Sequence, residues 1–186
     1  MAGTLAVATA VLGICGVGEH GLHLALRVTA RWSFMWFWGA YAGGALGSVF
    51  GESFRALARR GRALGLSYAA AQTVHAGIVA WLYCVAVKPP LGAKGAAFFL
   101  VGLGITYVLV GLSFGGARRL PGWVWKLVRV GGMEYIALAF FVDFVRHPVR
   151  GVWDEVFYWP FIGLAVMGTA IRIVSAIGTR LPTVPS

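Results

Sequence analysis

Six ionisable side chains lie within the long apolar segments of this chain, and they are its best candidates for chemistry. They are Glu19, His20, His23, His75, Glu134 and Asp143. Taking such groups out of water costs free energy, so those inside apolar segments are usually paired with one another or functional. Histidine is the commonest metal ligand among side chains and a frequent axial ligand of heme iron. The histidines therefore come first.

His75 lies about twelve residues into an apolar segment that begins after a cluster of arginines, "RRGRALGLSYAAAQTVHAGIVAWLY", residues 59–83. A neutral imidazole at that depth needs either a hydrogen-bond partner or a metal centre. Packing through a hydrogen bond and axial ligation of a b-type heme are both open. Glu134 lies at a similar depth in another apolar segment, so His75 and Glu134 are predicted to form a buried polar pair if those segments are neighbours.

His20 and His23 lie near the end of the first apolar segment. They are three residues apart, which puts them on one face of a helix. Such a pair can bind a metal or approach a cofactor, but at a membrane interface it is more often simply solvated. Because the sequence offers no third ligand, no metal site is predicted. Walker-type GxxxxGK[ST] and HExxH motifs are also missing from the sequence.

The composition indicates what must position these residues. The chain has 186 residues, of which 59% are hydrophobic and 12% charged, and its mean hydropathy is +0.79. Soluble domains are about half apolar and about a quarter charged. The excess of apolar residues predicts an all-α integral membrane protein, a single domain over 1–186 that crosses the cell inner membrane as a six-transmembrane-helix bundle. The predicted spans are about 3–26, 32–51, 64–87, 95–114, 123–145 and 156–177.

Basic residues predict the orientation of the bundle. With six spans, ten of the 16 Lys and Arg residues fall on the side that holds both termini, led by the cluster Arg55–Arg62. This bias places both termini in the cytoplasm. Basic residues that flank apolar spans face anionic headgroups, so the net charge of +10 indicates membrane lipid rather than nucleic acid as the partner.

The stretch 59–83, with its basic cluster, Leu-Gly-Leu and histidine, resembles the third helix of ferric-reductase-like transmembrane domains. The segment "KPPLGAKGAAFFLVGLGITYVLVGLSFGGARRLPGWVWKLVRV" is similar to the fourth span, basic loop and Trp-led start of the fifth span in that family. The pattern is nearest to the heme-bearing membrane subunits of bacterial methionine sulfoxide reductase systems, and it covers roughly residues 50 to 175.

The resemblance implies a b-type heme between the third and fifth spans, with electrons crossing from a cytosolic flavin donor to an acceptor outside. His75 matches the family's histidine on the third span. The family's two histidines on the fifth span are replaced here by residues near Arg129 and Val142–Asp143. Met133, His20 and His23 are the remaining candidates for a second axial ligand.

Two principal functions follow from these patterns. In the first, the chain keeps the family's fold, has lost bis-histidine heme and is an accessory or structural subunit of a larger membrane complex, respiratory or photosynthetic. It is then no enzyme by itself, no cofactor is favoured, and Met133, Tyr135 and Phe140 fill the interior. In the second, it is an electron-transfer subunit that binds heme b through His75. A transporter that uses His75 and Glu134 as a proton-coupled pair is a third, less supported reading.

Overall fold

The computed structural model describes residues 2–86, 91–115, 120–146 and 152–178, and all regular structure in these ranges is α-helical. The all-α prediction is therefore confirmed. Parts of the three loops predicted after residues 87, 114 and 145, and the C-terminal residues 179–186, lie outside the described residues. The helices are α1 Ala2–Cys15, α2 Glu19–Phe50, α3 Glu52–Arg59, α4 Gly61–Val85, α5 Ala93–Ser113, α6 Gly122–Arg146 and α7 Val152–Gly178.

The beginning of the chain differs from the prediction. The predicted first span, 3–26, is interrupted after α1, where Gly16 adopts a φ of +81° that side chains disfavour. Helix α2 then runs for 32 residues through the predicted boundary at 27–31. Arg27 and Arg31 do not end the helix because arginine is a good helix former. The predicted spans 3–26 and 32–51 are therefore wrong in their bounds, whereas the other four agree with α4 to α7 within a few residues.

Helix α2 is the centre of the bundle. Its buried stripe recurs every three or four residues at Leu22, Ala25, Thr29, Ser33 and Phe37, as expected of one helix face turned towards a core. This stripe meets α4, and residues further along α2 meet α6 and α7.

The long helices that follow one another along the chain alternate in direction. Helices α2 and α4 are antiparallel, because Thr29 contacts His75 whereas Gly39, later in α2, lies against Leu64, earlier in α4. Helices α4 and α5 are also antiparallel, and the hydrogen-bonded pair Tyr68–Thr106 joins them. Helices α5 and α6 are antiparallel as well. Helix α7 runs parallel to α2. The end of α2, the start of α4, the end of α5 and the start of α6 therefore meet at one end of the bundle, which we call the basic end.

The arginine-rich connection after α2 forms the eight-residue helix α3 instead of an irregular loop. None of its residues is fully buried, but Leu57 and Ala58 pack on α2 at Gly43 and Gly47. A Cβ atom at Gly43 would lie 3.2 Å from the Leu57 side chain, so glycine allows the close approach of the two helices. The arginines of α3 remain at the surface of the basic end.

Two helical segments of the described residues are long and apolar enough to cross a membrane, Ala93–Ser113 and Phe157–Gly178. Length and composition by themselves thus support two crossings rather than the six that were predicted. Helix α1 is too short, and α2, α4 and α6 carry interior polar residues that lower their hydropathy. Such residues include Arg31, Gln72 and Glu134.

Candidate functional site: the cavities beside His75

His75 has a defined hydrogen-bond partner on α2. Its Nδ1 atom lies 2.9 Å from Oγ1 of Thr29, and that Oγ1 lies 2.7 Å from the carbonyl oxygen of Ala25. A threonine hydroxyl carries a single proton. When it donates that proton to Ala25, its oxygen accepts a hydrogen bond from Nδ1–H of His75. The imidazole is then neutral and its lone pair is on Nε2.

Two neighbouring cavities share His75 in their walls. The larger has a volume of about 420 Å³ and lies between α2, α4, α5 and α6, with Tyr68, Phe98, Phe99 and Phe140 among its lining residues. The smaller, of about 250 Å³, is lined by residues from the same helices and by Tyr158 of α7. Small-molecule sites are mostly apolar clefts of about 300–1,000 Å³ with a few polar groups. The larger cavity meets that description.

Polar groups in the larger cavity come from three side chains besides Tyr68. Gln72 is one helical turn before His75, and its buried amide oxygen has no hydrogen-bond partner among the described residues. Asp143 of α6 lines both cavities. The Nε2 atom of His75 likewise has no partner among the described residues. The cavity thus combines aromatic walls with hydrogen-bond acceptors, as expected of a site for an apolar molecule that carries a donor group.

Of the two histidines near the start of α2, only His23 lines one of these cavities. His23 lies 3.9 Å from Glu19 across one helical turn, with both side chains about half exposed. It also lines the smaller cavity, so it shares that space with His75. His20 is exposed and lines neither cavity. Among the described residues no group of three potential metal ligands occurs.

Glu134 does not pair with His75, and this prediction is corrected by the contacts of both residues. The Glu134 carboxylate accepts hydrogen bonds from Nε of Arg172 at 3.0 Å and from the hydroxyl of Tyr41 at 2.7 Å. Arg172 also donates to the backbone oxygen of Tyr41 and lies over its ring. His75 instead contacts Thr29. Two separate polar contacts therefore join the helices, one between α2 and α4 and one between α2, α6 and α7.

The three residues expected to fill the interior have different positions. Phe140 is buried in an aromatic cluster with Phe34 and Phe37 and also lines the larger cavity. Tyr135 donates a hydrogen bond to the backbone oxygen of Phe98. Met133 lines a third cavity towards the basic end, which His75 does not line. Met133 and His75 therefore do not face each other across one space.

Sequence reasoning missed the partners of both candidate residues. Thr29 lies within the connection predicted at 27–31, and nothing in the sequence pairs it with a residue 46 positions away. Arg172 was counted as a basic residue of the cytoplasmic side. Its position inside the last apolar segment was the signal that it has an acidic partner.

No protein-family model, curated protein or solved structure matches this chain.

Proposed function

We propose that the protein is an integral membrane protein whose bundle crosses the bilayer. The apolar windows of α5 and α7 are only 6% and 11% buried inside the structure. A core helix of a soluble protein would be mostly buried, and neither segment lies at the N-terminus, where a signal sequence would be. Polar groups such as Thr29, Ser33 and Thr106 are buried instead. Apolar residues outside and polar residues inside are the arrangement that lipid favours.

In this proposal α2, α4, α5, α6 and α7 cross the membrane, because each has at least 21 residues and about 20 suffice. Helix α1, with 14 residues, is about 21 Å long and covers part of the hydrocarbon core of about 30 Å. It packs on α2, where Nε1 of Trp32 donates to Oγ1 of Thr4. The basic end, which includes the end of α7, faces the cytoplasm.

The activity that we propose is that of an accessory subunit of a larger membrane complex, derived from a ferric-reductase-like bundle without bis-histidine heme. One observation carries this proposal. The wall that α6 contributes to the cavities beside His75 consists of Ile136, Ala139, Phe140, Val142, Asp143 and Phe144. Within the described residues, that wall offers the iron no imidazole or thioether opposite His75. The resemblance to the family predicts the fold, and the exposed faces of α5 and α7 supply surface for partner subunits.

An absorption spectrum tests the proposal directly. Purified protein from a heme-replete host is expected to show no difference between the reduced and oxidised states in the region of b-type bands. Carbonate extraction of membranes is expected to leave the protein in the membrane fraction, and affinity purification after mild solubilisation is expected to recover defined partner subunits. Sharp b-type bands that vanish in His75→Ala would overturn the heme-free assignment.

A second candidate, a subunit with a single b-type heme, is favoured by the protonation of His75. Nδ1–H bound to Thr29 leaves Nε2 as the free ligand atom, which is how ligating histidines are usually held. Among the residues that the structure describes, His23 is the one other imidazole on these cavities. The residues present thus fit a heme with His75 as one axial ligand and His23 as the candidate for the other. Heme bound there would supply one-electron transfer. In that case b-type bands would be lost in His75→Ala and shifted in His23→Ala.

A further inference from the structure

A third cavity opens at the basic end of the bundle, away from His75. It has a volume of about 320 Å³ and is bounded by α2, α3, α4, α5 and α6. Its interior is apolar and includes Leu66, Leu109, Val110 and Met133. Within the described part of the chain, the charged side chains in its wall are two arginines, Arg62 at the start of α4 and Arg129 in the first two turns of α6, and both are exposed. An apolar cleft with exposed cationic groups suits an amphiphile that carries a negative charge.

The local charge balance supports the same conclusion. The two acidic residues near this end are already paired, Glu52 with Arg55 and Glu134 with Arg172. The remaining basic side chains in and around the cavity are exposed, and none of them has an acidic partner among the described residues. They are Arg59, Arg60, Arg62, Lys126 and Arg129. An anion at the cavity would therefore meet uncompensated positive charge and displace no existing ion pair.

We propose that this cavity is a binding site for an anionic phospholipid, with the headgroup phosphate between Arg62 and Arg129 and the upper part of an acyl chain in the apolar interior. Basic pockets between membrane helices on the cytoplasmic side are suited to anionic headgroups. Ser113 and Trp125 lie in the same wall. The Ser113 hydroxyl donates to the backbone oxygen of Leu109, whereas the indole ring of Trp125 favours the headgroup level. The proposal rests on the membrane location argued above and is independent of whether heme is bound.

The apolar interior is what distinguishes this site from a merely basic surface. The headgroup of a lipid held only by surface charge needs no cavity, whereas the proposed lipid needs room beside Gly65. A Cβ atom added at Gly65 would meet no atom within 4 Å, and Gly65 lines the cavity. A larger side chain at this position would project into the proposed acyl-chain site without altering charge. Gly77 on the same helix has equal space but lines none of the three cavities described, so it provides the matched control.

The test measures lipid binding to the full chain in uncharged detergent. Phosphatidylglycerol and phosphatidylcholine with the same acyl chains are titrated separately, and bound lipid is counted by native mass spectrometry. We expect one phosphatidylglycerol to bind preferentially. Each of Arg62→Gln and Arg129→Gln should weaken its binding about fivefold and the double variant about thirtyfold, from the usual contribution of a basic residue near anionic lipid. Arg59→Gln, which removes the same charge outside the cavity, should have a much smaller effect.

Gly65→Phe should abolish the preferential binding, whereas Gly77→Phe should retain it. Circular dichroism and thermal unfolding in detergent establish that each variant is folded. Equal binding of both lipids, equal effects of Arg59 and Arg62, or retained binding in Gly65→Phe would overturn the proposal. Inorganic phosphate that binds as tightly as the lipid would also overturn it, because the acyl chain would then contribute nothing. Extraction by carbonate would refute the membrane location itself, and loss of lipid selectivity in a carbonate-resistant protein would refute this site alone.

Discussion

The Nδ1 atom of His75 lies 2.9 Å from the hydroxyl oxygen of Thr29, although the two residues are 46 positions apart. This contact joins α4 to α2 where the two cavities meet, and it places the ring proton of His75 on Nδ1 when the Thr29 hydroxyl donates to Ala25. It therefore links the packing of the bundle to the chemistry available in the cavities. Because the packing of α4 on α2 and the single-heme candidate both depend on this contact, it is the first one to test.

Thr29→Val removes the hydroxyl while keeping the shape of the side chain. The expected result is a loss of about 1 kcal/mol in the free energy of unfolding, the scale of interhelical hydrogen bonds in membranes, because Nδ1–H then lacks its acceptor. Unfolding by dodecyl sulfate in mixed micelles measures the change. Thr29→Ser keeps the hydroxyl and serves as the control. Destabilisation by Ser but not by Val would mean that the methyl group, and not the hydrogen bond, matters.

The polar network of Glu134 gives a second prediction. The side chain of its partner Arg172 is 26% exposed and that of Glu134 is 44% exposed, so the protein encloses the pair only in part. A double-mutant cycle with Glu134→Ala and Arg172→Ala is expected to give a coupling energy of about 1 kcal/mol, between the values for exposed and buried pairs. The cycle of Glu134→Ala with His75→Ala should give a value near zero. Strong coupling between Glu134 and His75 would contradict the network seen here.

The contact of α2 with α7 depends on a glycine. A Cβ atom at Gly168 would lie 2.9 Å from Nε1 of Trp38, which donates its hydrogen bond to the backbone oxygen of Leu164. Gly168→Ala must therefore shift the indole or separate the helices, and should destabilise the protein by about 1–3 kcal/mol. Gly163 lies on the same helix with nothing within 4 Å of an added Cβ. Gly163→Ala should be neutral or slightly stabilising in the same unfolding assay.

The sequence allowed the all-α class and the approximate bounds of four helices to be predicted, because long apolar runs bounded by glycine, proline and charge leave few alternatives. The first two spans failed for a local reason. Hydropathy predicted a boundary at Arg27 and Arg31, whereas the backbone breaks at Gly16, where a positive φ ends α1. Charge indicates where a helix meets water, but not where it ends.

The candidate site was predicted only in part. His75 and Glu134 were found because each is a costly group within an apolar segment. Their partners depend on which helices pack together and through which faces, and a single sequence does not contain that information. Similar depth suggested one pair, but their partners on α2, Thr29 and Tyr41, are twelve residues apart, which is about 18 Å along the helix.

The last prediction concerns the orientation of the bundle. Alternating helices put Ser53 of α3 at the basic end and Leu91, just before α5, at the opposite end. After replacement of Cys15 and Cys84 by alanine, a single cysteine at either position reports its side of the membrane to an impermeant maleimide. In intact spheroplasts, Leu91→Cys is expected to react and Ser53→Cys to react only after lysis, because basic residues favour the cytoplasmic face. The reverse pattern would invert the orientation, and it would put the cavity at Arg62 and Arg129 on the outer face. Labelling of both sites in intact spheroplasts would contradict the crossing of α4.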